Sequence, residues 1–333
     1  MHDHPVITAT APNGLVLPVI DLTNPVFAVA DDAGSIARMR DAVTTEQRKN
    51  SRLPAFITRF LIRQAAKRSA LLRAVFQSER GYLDSITTYV FKLGIAHLPP
   101  GYDSATDKRV AGSPHVTLVR LRMQQVATLL AKALEAPLAA ERSAPLHLIN
   151  IAGGPALDSL NTLTLLKRAH GDLLQRPIVV DVLDANAEGP AFGANALKAL
   201  QQPGAPLAGL AIDFRHQTYD WNDPSALITL LARLKDAGAI VAASSEGGLF
   251  EYGEDDAIVG NLKAFAAGGV DIVAGSVTAN SAMRKRMIAM APGFKLHPRG
   301  LEGIAPLVAQ GGYTVAESLD SVISHQVLLR LRR

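Results

Sequence analysis

Two glycines and an acid carry the strongest chemical signal in this chain. Gly153-Gly154 interrupts the apolar run 146–151 and leads into Pro155 and Asp158. A backbone without a Cβ turns sharply there and admits a ligand at close range. About thirty residues later a second apolar run, 178–183, ends in Asp184. A carboxylate at the tip of a second strand is placed to accept hydrogen bonds from a ribose diol. Strand, glycine turn, helix and acid together predict the nucleotide-side corner of a doubly wound sheet. Pro155 suits the first helical position, where no amide hydrogen is needed. Asp158 then falls in the first turn, against the positive end of the helix dipole. Asp181 lies inside the second run, so it needs a buried partner of its own.

Other side chains could move a proton. His97, His115, Glu246 and Tyr252 stand in loops or at expected strand ends, where a general base is needed if an acceptor must lose a proton. Several chemistries are excluded. Gly153-Gly154 is followed by proline with no third glycine, so the dinucleotide fingerprint is missing. No lysine with serine or threonine follows the glycines, so there is no P-loop. Ser244-Ser245-Glu246 lacks the glycine that a nucleophile elbow places before its serine. There are no cysteines, hence no thiolate metal site, disulfide or cysteine nucleophile. His2 and His4 read as a frayed terminus rather than a metal site, and no metal is expected.

These residues need a scaffold, and the pattern supplies one in two parts. The chain has 333 residues, 48% hydrophobic and 19% charged, enough for a substantial core. Residues 1–45 read as an arm with little periodicity. Helical spacing follows over 45–98, with Phe56, Ile57, Phe60 and Leu61 and then Leu71, Leu72, Val75 and Phe76 at three- and four-residue steps. Gly81 and Gly94 read as breaks, 97–102 as a loop, and 116–135 as a further helix. From 146 onward strands and helices alternate, which predicts a mostly parallel sheet. Expected strands are 146–151, 178–184, 207–212, 239–243 and 270–274; expected helices are 159–170, 187–200, 224–236 and 256–267. Two late strands, 313–318 and 325–331, have no room for a crossover helix and should pair antiparallel at the sheet edge. The fold class is therefore α/β: a doubly wound, mostly parallel sheet with an antiparallel C-terminal hairpin, preceded by a helical N-terminal region. The expected division is 1–142, arm and helical cover, and 143–333, the Rossmann-like catalytic domain.

That order of parts resembles the class I S-adenosylmethionine-dependent methyltransferase family. The resemblance spans 146–333 and rests on the glycine turn, Asp184 ending strand two, Asp213 ending strand three, and the closing hairpin. It implies S-adenosyl-L-methionine as cofactor and methyl transfer to a small organic acceptor. Ala152, Gly153 and Gly154 would lie against the methionine end. Asp184, with Ala185 beside it, would bind the ribose, and Asp213 with Phe214 would flank the adenine. Ser244, Ser245 and the loop through Tyr252 would face the methyl group and acceptor. The leading helices would cover the acceptor pocket.

Two other readings remain open. Arg52, Arg59, Arg63, Lys67, Arg68, Arg73 and Arg80 are opposed only by Glu79, and Arg59, Arg63 and Lys67 step by four. Such a stripe could follow RNA phosphates, although a solvated helix face is the commoner meaning and nucleic acid is not the expected partner. A cofactor-binding fold without catalysis, serving as a regulatory subunit, is the other. The formal charge of +4 permits an anionic substrate without requiring one. The N-terminus lacks a basic segment followed by an apolar one, and no apolar run nears membrane-spanning length. A cytoplasmic protein without a membrane partner is expected, with homodimer formation left open.

Overall fold

The structure, a computed structural model, describes residues 5–50, 55–77, 83–290 and 295–332. Two short paired strands open it, β1 (Thr8–Thr10) and β2 (Val16–Pro18). Six helices follow: α1 (Ala33–Asn50), α2 (Ala55–Ala66), α3 (Ala70–Gln77), α4 (Ser85–Leu93), α5 (Ala105–Ala111) and α6 (Pro114–Ala140). Then come β3 (Leu146–Ile151), α7 (Leu157–His170), β4 (Ile178–Leu183), α8 (Glu188–Leu200), β5 (Ile212–Gln217), α9 (Ser225–Asp236) and β6 (Ile240–Ser245). The chain closes with α10 (Leu249–Tyr252), α11 (Asp255–Ala267), β7 (Ile272–Thr278), α12 (Ala282–Met290), α13 (Gly300–Gln310), β8 (Tyr313–Asp320) and β9 (Ser324–Leu331).

β3 and β4 are buried at every position, as interior parallel strands flanked by helices must be. The seven-stranded sheet runs β5-β4-β3-β6-β7-β9-β8. β9 pairs antiparallel with both β7 and β8, so the closing hairpin lies at the edge as expected. From β3 the chain proceeds outward through β4 to β5, then returns to β6 on the other side. The strand order thus reverses between β3 and β6, where loops diverge and leave a crevice at the carboxyl ends. Asp181 finds its partner in His147 of the neighbouring strand, Nδ1 to Oδ2 2.7 Å, which satisfies two polar groups inside the sheet.

Three elements differ from the sequence reading. The third strand is 212–217, not 207–212: Leu207 and Leu210 are buried on turns, while β5 alternates buried and exposed residues as an edge strand does. Helix α7 starts at Leu157, with Ala156 as its N-cap, so Pro155 precedes the helix; Asp158 does lie in the first turn. The arm holds a long polar helix, α1, and an ordered lead-in. Asn161 donates to the Ile20 carbonyl at 3.0 Å and accepts from the Leu22 amide at 2.7 Å, while Gln124 brackets Val29 in the same way. Gly94 is the break expected, at φ +80°; His2, His4 and Gly81 lie outside the described residues.

α6 is central. Ser113 caps it by accepting from the Val116 amide, Pro114 occupies the first turn, and the helix continues past Pro137 to Ala140. Val126, Leu129, Leu130 and Leu134 share a core with Leu146, Leu148 and Leu160. Each such side chain contributes about 1.5–3 kcal/mol by burial. A chain beginning at Glu141 is therefore expected to lose cooperative folding, read as the absence of a thermal transition by circular dichroism. A sharp transition in that fragment would mean the sheet does not need α6. Among the described residues no helix is long and apolar enough to cross a membrane.

Candidate functional site

Outside the carboxyl ends of β3, β4, β5 and β6 lies a cavity of about 930 Å³. The sheet side of its wall is the glycine turn, residues 152–155, with 183–186 and 218–221. The turn departs from ordinary backbone: Ala152, Gly154 and Ala156 have φ of +53°, +57° and +53°. Asp184 ties the two loops together. Its Oδ2 accepts from the Gly154 amide at 3.0 Å and its Oδ1 from the Asn186 amide at 2.9 Å, with the residue only 7% exposed. Burial raises its pKa despite both amides, which favour the ionised form.

Packing at this corner leaves no room for side chains. A Cβ on Gly153 would stand 2.1 Å from Asn150 Oδ1. Asn150 is itself fixed, its Nδ2 donating to Asp158 Oδ1 at 2.7 Å and to Ser244 Oγ at 3.1 Å. A Cβ on Gly189, at the start of α8, would meet Ser85 Cβ at 2.7 Å and Gly154 Cα at 2.8 Å. Thus the first residues of α4 and α8 close directly onto the turn. Gly153→Ala is expected to destabilise the protein by about 1–3 kcal/mol, measured by urea unfolding. A change within the error of the method would mean that Asn150 has space to move.

Beside the turn the wall is charged and buried. Glu246, in the loop after β6, is ion-paired through one oxygen with Lys92 of α4 and through the other with Arg122 Nε of α6, the latter at 2.6 Å. Arg122 Nη1 also holds Glu251 at 2.6 Å. All four side chains are at least nine-tenths buried. Burial opposes the charge on Glu246, but Arg122 and Lys92 outweigh it and keep the carboxyl below its ordinary range. Gly247, at φ +73°, permits the close approach: a Cβ there would lie 2.6 Å from Arg122 Nη2. Below the turn, burial and then Glu246 push the Asp158 carboxyl up, and its Oδ2 has no hydrogen-bond partner.

The expected site residues divide into two groups. Ala152, Gly153, Gly154, Asp184, Ala185, Glu246, His115 and Tyr252 all line the cavity. His115 carries an enclosed Nδ1 without a partner; burial and then the Arg284 and Arg122 charges hold its pKa down to about 3. Burial raises the pKa of the Tyr252 phenol. Asp213, Phe214, Ser244, Ser245 and His97 do not line the cavity. Asp213 is near the start of β5, opposite Val179, exposed and paired with Arg215. Phe214 packs beneath α8, where it would meet a Cβ on Gly193 at 2.7 Å. Ser244 and Ser245 belong to β6 itself; Ser245 Oγ donates to the Ile151 carbonyl and accepts from the Leu249 amide. His97 sits in a turn against Phe27, ring centroids 5.1 Å apart. Of the basic stripe, Arg63, Lys67, Arg68 and Arg73 are exposed; the Arg59 side chain and residues 52, 79 and 80 lie outside the described set.

Lys92, Arg122, Glu251, Arg284 and residues 218–221 were not singled out from sequence. They reach the cavity from separate elements, so no local spacing announces them. The one available signal is a cation in an apolar helix with no acid one turn away, true of Lys92 and Arg122 but not of Arg284, which stands in the basic run 284–286.

No family model matches the chain, and no curated protein does. Solved structures do. A possible exported protein from Bordetella parapertussis matches with a TM-score of 0.56 and 13% identity, over 91% of this chain and 100% of that one. An O-methyltransferase of neocarzinostatin biosynthesis, solved with S-adenosylmethionine and 2-hydroxy-5-methyl naphthoic acid, has a TM-score of 0.37 and 19% identity over 56% of this chain and 48% of that one. The pyocyanin biosynthetic protein PhzM has a TM-score of 0.42 and 13% identity, over 70% and 59%. This chain spans about half the length of the neocarzinostatin enzyme it matches. The first likeness is one of fold, and the other two are weaker. The parallel sheet, its reversal between β3 and β6 and its antiparallel closing hairpin give the chain a Rossmann-like fold.

Proposed function

We propose that the chain is an S-adenosyl-L-methionine-dependent methyltransferase acting on a small organic acceptor. The observation that carries this reading is Asp184, whose carboxylate ends β4 at the cavity wall and is oriented by the Gly154 and Asn186 amides. Each carboxylate oxygen keeps a further lone pair for a ribose hydroxyl. Ala152, Gly153 and Gly154 lie along the methionine portion, and Ala185 lies beside the ribose. Residues 218–221, at the carboxyl end of β5, take the adenine side that Asp213 and Phe214 were expected to flank. A cavity of about 930 Å³ has room for a cofactor and an acceptor together.

The bound cofactor supplies an activated sulfonium methyl. The residues of this chain exclude water and align the acceptor for in-line attack, which provides most of the acceleration. Glu246 is not a free base: Lys92 and Arg122 occupy both its oxygens, and it holds α4 and α6 down over the site. His115, kept neutral, accepts a hydrogen bond from an acceptor hydroxyl through Nδ1. Tyr252 lines the same cavity.

The test is label transfer. Protein, methyl-labelled S-adenosylmethionine and a cell extract are incubated, and molecules below 1 kDa are separated from RNA (a cutoff of about that size suffices to part metabolites from oligomers). Label in the small-molecule fraction is expected. Label in RNA would favour the basic stripe as a binding surface, and label in neither would favour a non-catalytic subunit.

A further inference from the structure

In the ion-paired cluster after β6, two buried carboxylates, Glu246 and Glu251, are bound by two buried cations, Lys92 and Arg122; Asp184, the other buried carboxylate of the cavity wall, is held by the Gly154 and Asn186 amides. Arg284 of α12 is a third cation, 6% exposed, lining the same cavity. It has no ion-pair partner among the described residues, and its Nε is enclosed without a hydrogen bond. Glu251 favours the Arg284 charge through space, but that carboxylate is already bound by Arg122; arginine stays ionised in proteins, and an enclosed charge without a direct partner is costly. The backbone holds it in place, the Arg284 amide donating to Ser281 Oγ at 3.1 Å. Met283 and Met287 pack α12 against the cluster that contains Val43 of α1 and Leu118 and Leu121 of α6.

The surroundings describe the rest of the ligand. His115, Val119 and Arg122 follow one another at four- and three-residue steps, so they share a face of α6. Met287 stands one turn from Arg284 on the same face of α12. Ile62, Leu72, Val75 and Val110 add apolar lining to the same cavity and make its apolar chamber; Glu46, Gln47 and Arg109 also reach the cavity. A charged fork at the wall of an apolar chamber matches a molecule with an apolar body and one planar anionic group. His115 lines the same cavity, and its Nδ1 is enclosed without a partner.

We propose that Arg284 is an anion-binding subsite for the carboxylate of an apolar organic acid, with the acid's body in the chamber lined by Ile62, Val75, Val119 and Met287. Only the role of that acid as methyl acceptor rests on the function proposed above; the subsite itself stands on the buried Arg284 and its unpartnered Nε.

The experiment is calorimetry on the full chain with biphenyl-4-carboxylate and its primary amide, with S-adenosylhomocysteine titrated separately. The carboxylate is expected to bind at least about tenfold more tightly than the amide, the gain of a charge-assisted pair. Arg284→Met, which keeps length and apolar packing, should erase that preference while leaving S-adenosylhomocysteine affinity unchanged. Arg284→Lys should retain part of it, which guards against misreading a folding defect. Equal binding of acid and amide, no binding of the acid, or an acid preference that survives Arg284→Met would overturn the subsite. Loss of S-adenosylhomocysteine affinity in Arg284→Met would also overturn it, assigning the arginine to the carboxylate of the cofactor. An acid preference in a protein that ignores S-adenosylhomocysteine would instead uphold the subsite and end the methyltransferase reading.

Discussion

Arg122→Leu is expected to lower the unfolding free energy by about 3–5 kcal/mol, the cost of breaking a buried ion pair from one side. Arg122 is shared between Glu246 and Glu251, so its loss leaves Glu251 with the Thr278 hydroxyl at 3.3 Å and the more distant Arg284 charge, and Glu246 with Lys92 alone. The acid dependence of stability should change as well. In the native protein Glu246 is held below its ordinary value of 4.5. Its stabilising contribution is therefore complete above that value and is lost as the pH falls through the lower folded-state value. In Arg122→Leu one of the two cations that depress Glu246 is gone, so the deficit relative to the native protein should shrink as the pH is lowered. Urea unfolding at several pH values measures both effects. A pH-independent loss below about 1 kcal/mol would reduce the cluster to the rank of a surface pair.

Asp184→Ala should weaken S-adenosylhomocysteine binding by about ten- to a thousandfold. Hydrogen bonds to a charged group contribute roughly 1.5–3 kcal/mol each, less the cost of drying the carboxylate. The variant also frees the Gly154 and Asn186 amides, so a moderate loss of thermal stability should accompany it. Helix capping is not the source of that loss, because α8 begins at Glu188 with Ala187 as its N-cap. Asp184→Asn is informative for a reason only the structure supplies. Both carboxylate oxygens face amide donors, so an Asn must turn its own NH2 toward one of them and sacrifice that bond. It should fall between native and Ala in affinity. Because burial raises the pKa of Asp184 above its ordinary 3.8, cofactor affinity should decline as the pH falls through that raised value, where the carboxylate gains a proton. Unchanged affinity in Asp184→Ala, with only stability lost, would remove the residue from the site.

Interior strands were legible because burial on both faces writes continuous apolar runs: β3 and β4 stand where 146–151 and 178–183 predicted. The glycine turn and Asp184 were legible for the same reason, since each punctuates one of those runs. β5 was misplaced because Leu207 and Leu210 mimic a strand while packing from turns, whereas Asp213 and Arg215 look like loop residues but point outward from an edge strand. That misplacement set Asp213 and Phe214 at the expected strand end, whereas 218–221 follow the observed one and line the cavity. The polar helix α1 has only a thin apolar stripe, Ile36, Met39 and Val43, so the sequence around it reads as an arm. The charge cluster was hidden by topology. Lys92, Arg122, Glu246, Glu251 and Arg284 are dispersed over almost 200 positions and meet only because α4, α6 and α12 converge on the loop after β6.

The central claim is that the crevice between the glycine turn and Asp184 is an S-adenosylmethionine site. Isothermal calorimetry of the full chain with S-adenosylmethionine, S-adenosylhomocysteine and NAD tests it most directly. A one-to-one isotherm with the two sulfur nucleosides and none with NAD is the predicted result. Tight NAD binding with no heat from the other two would contradict it.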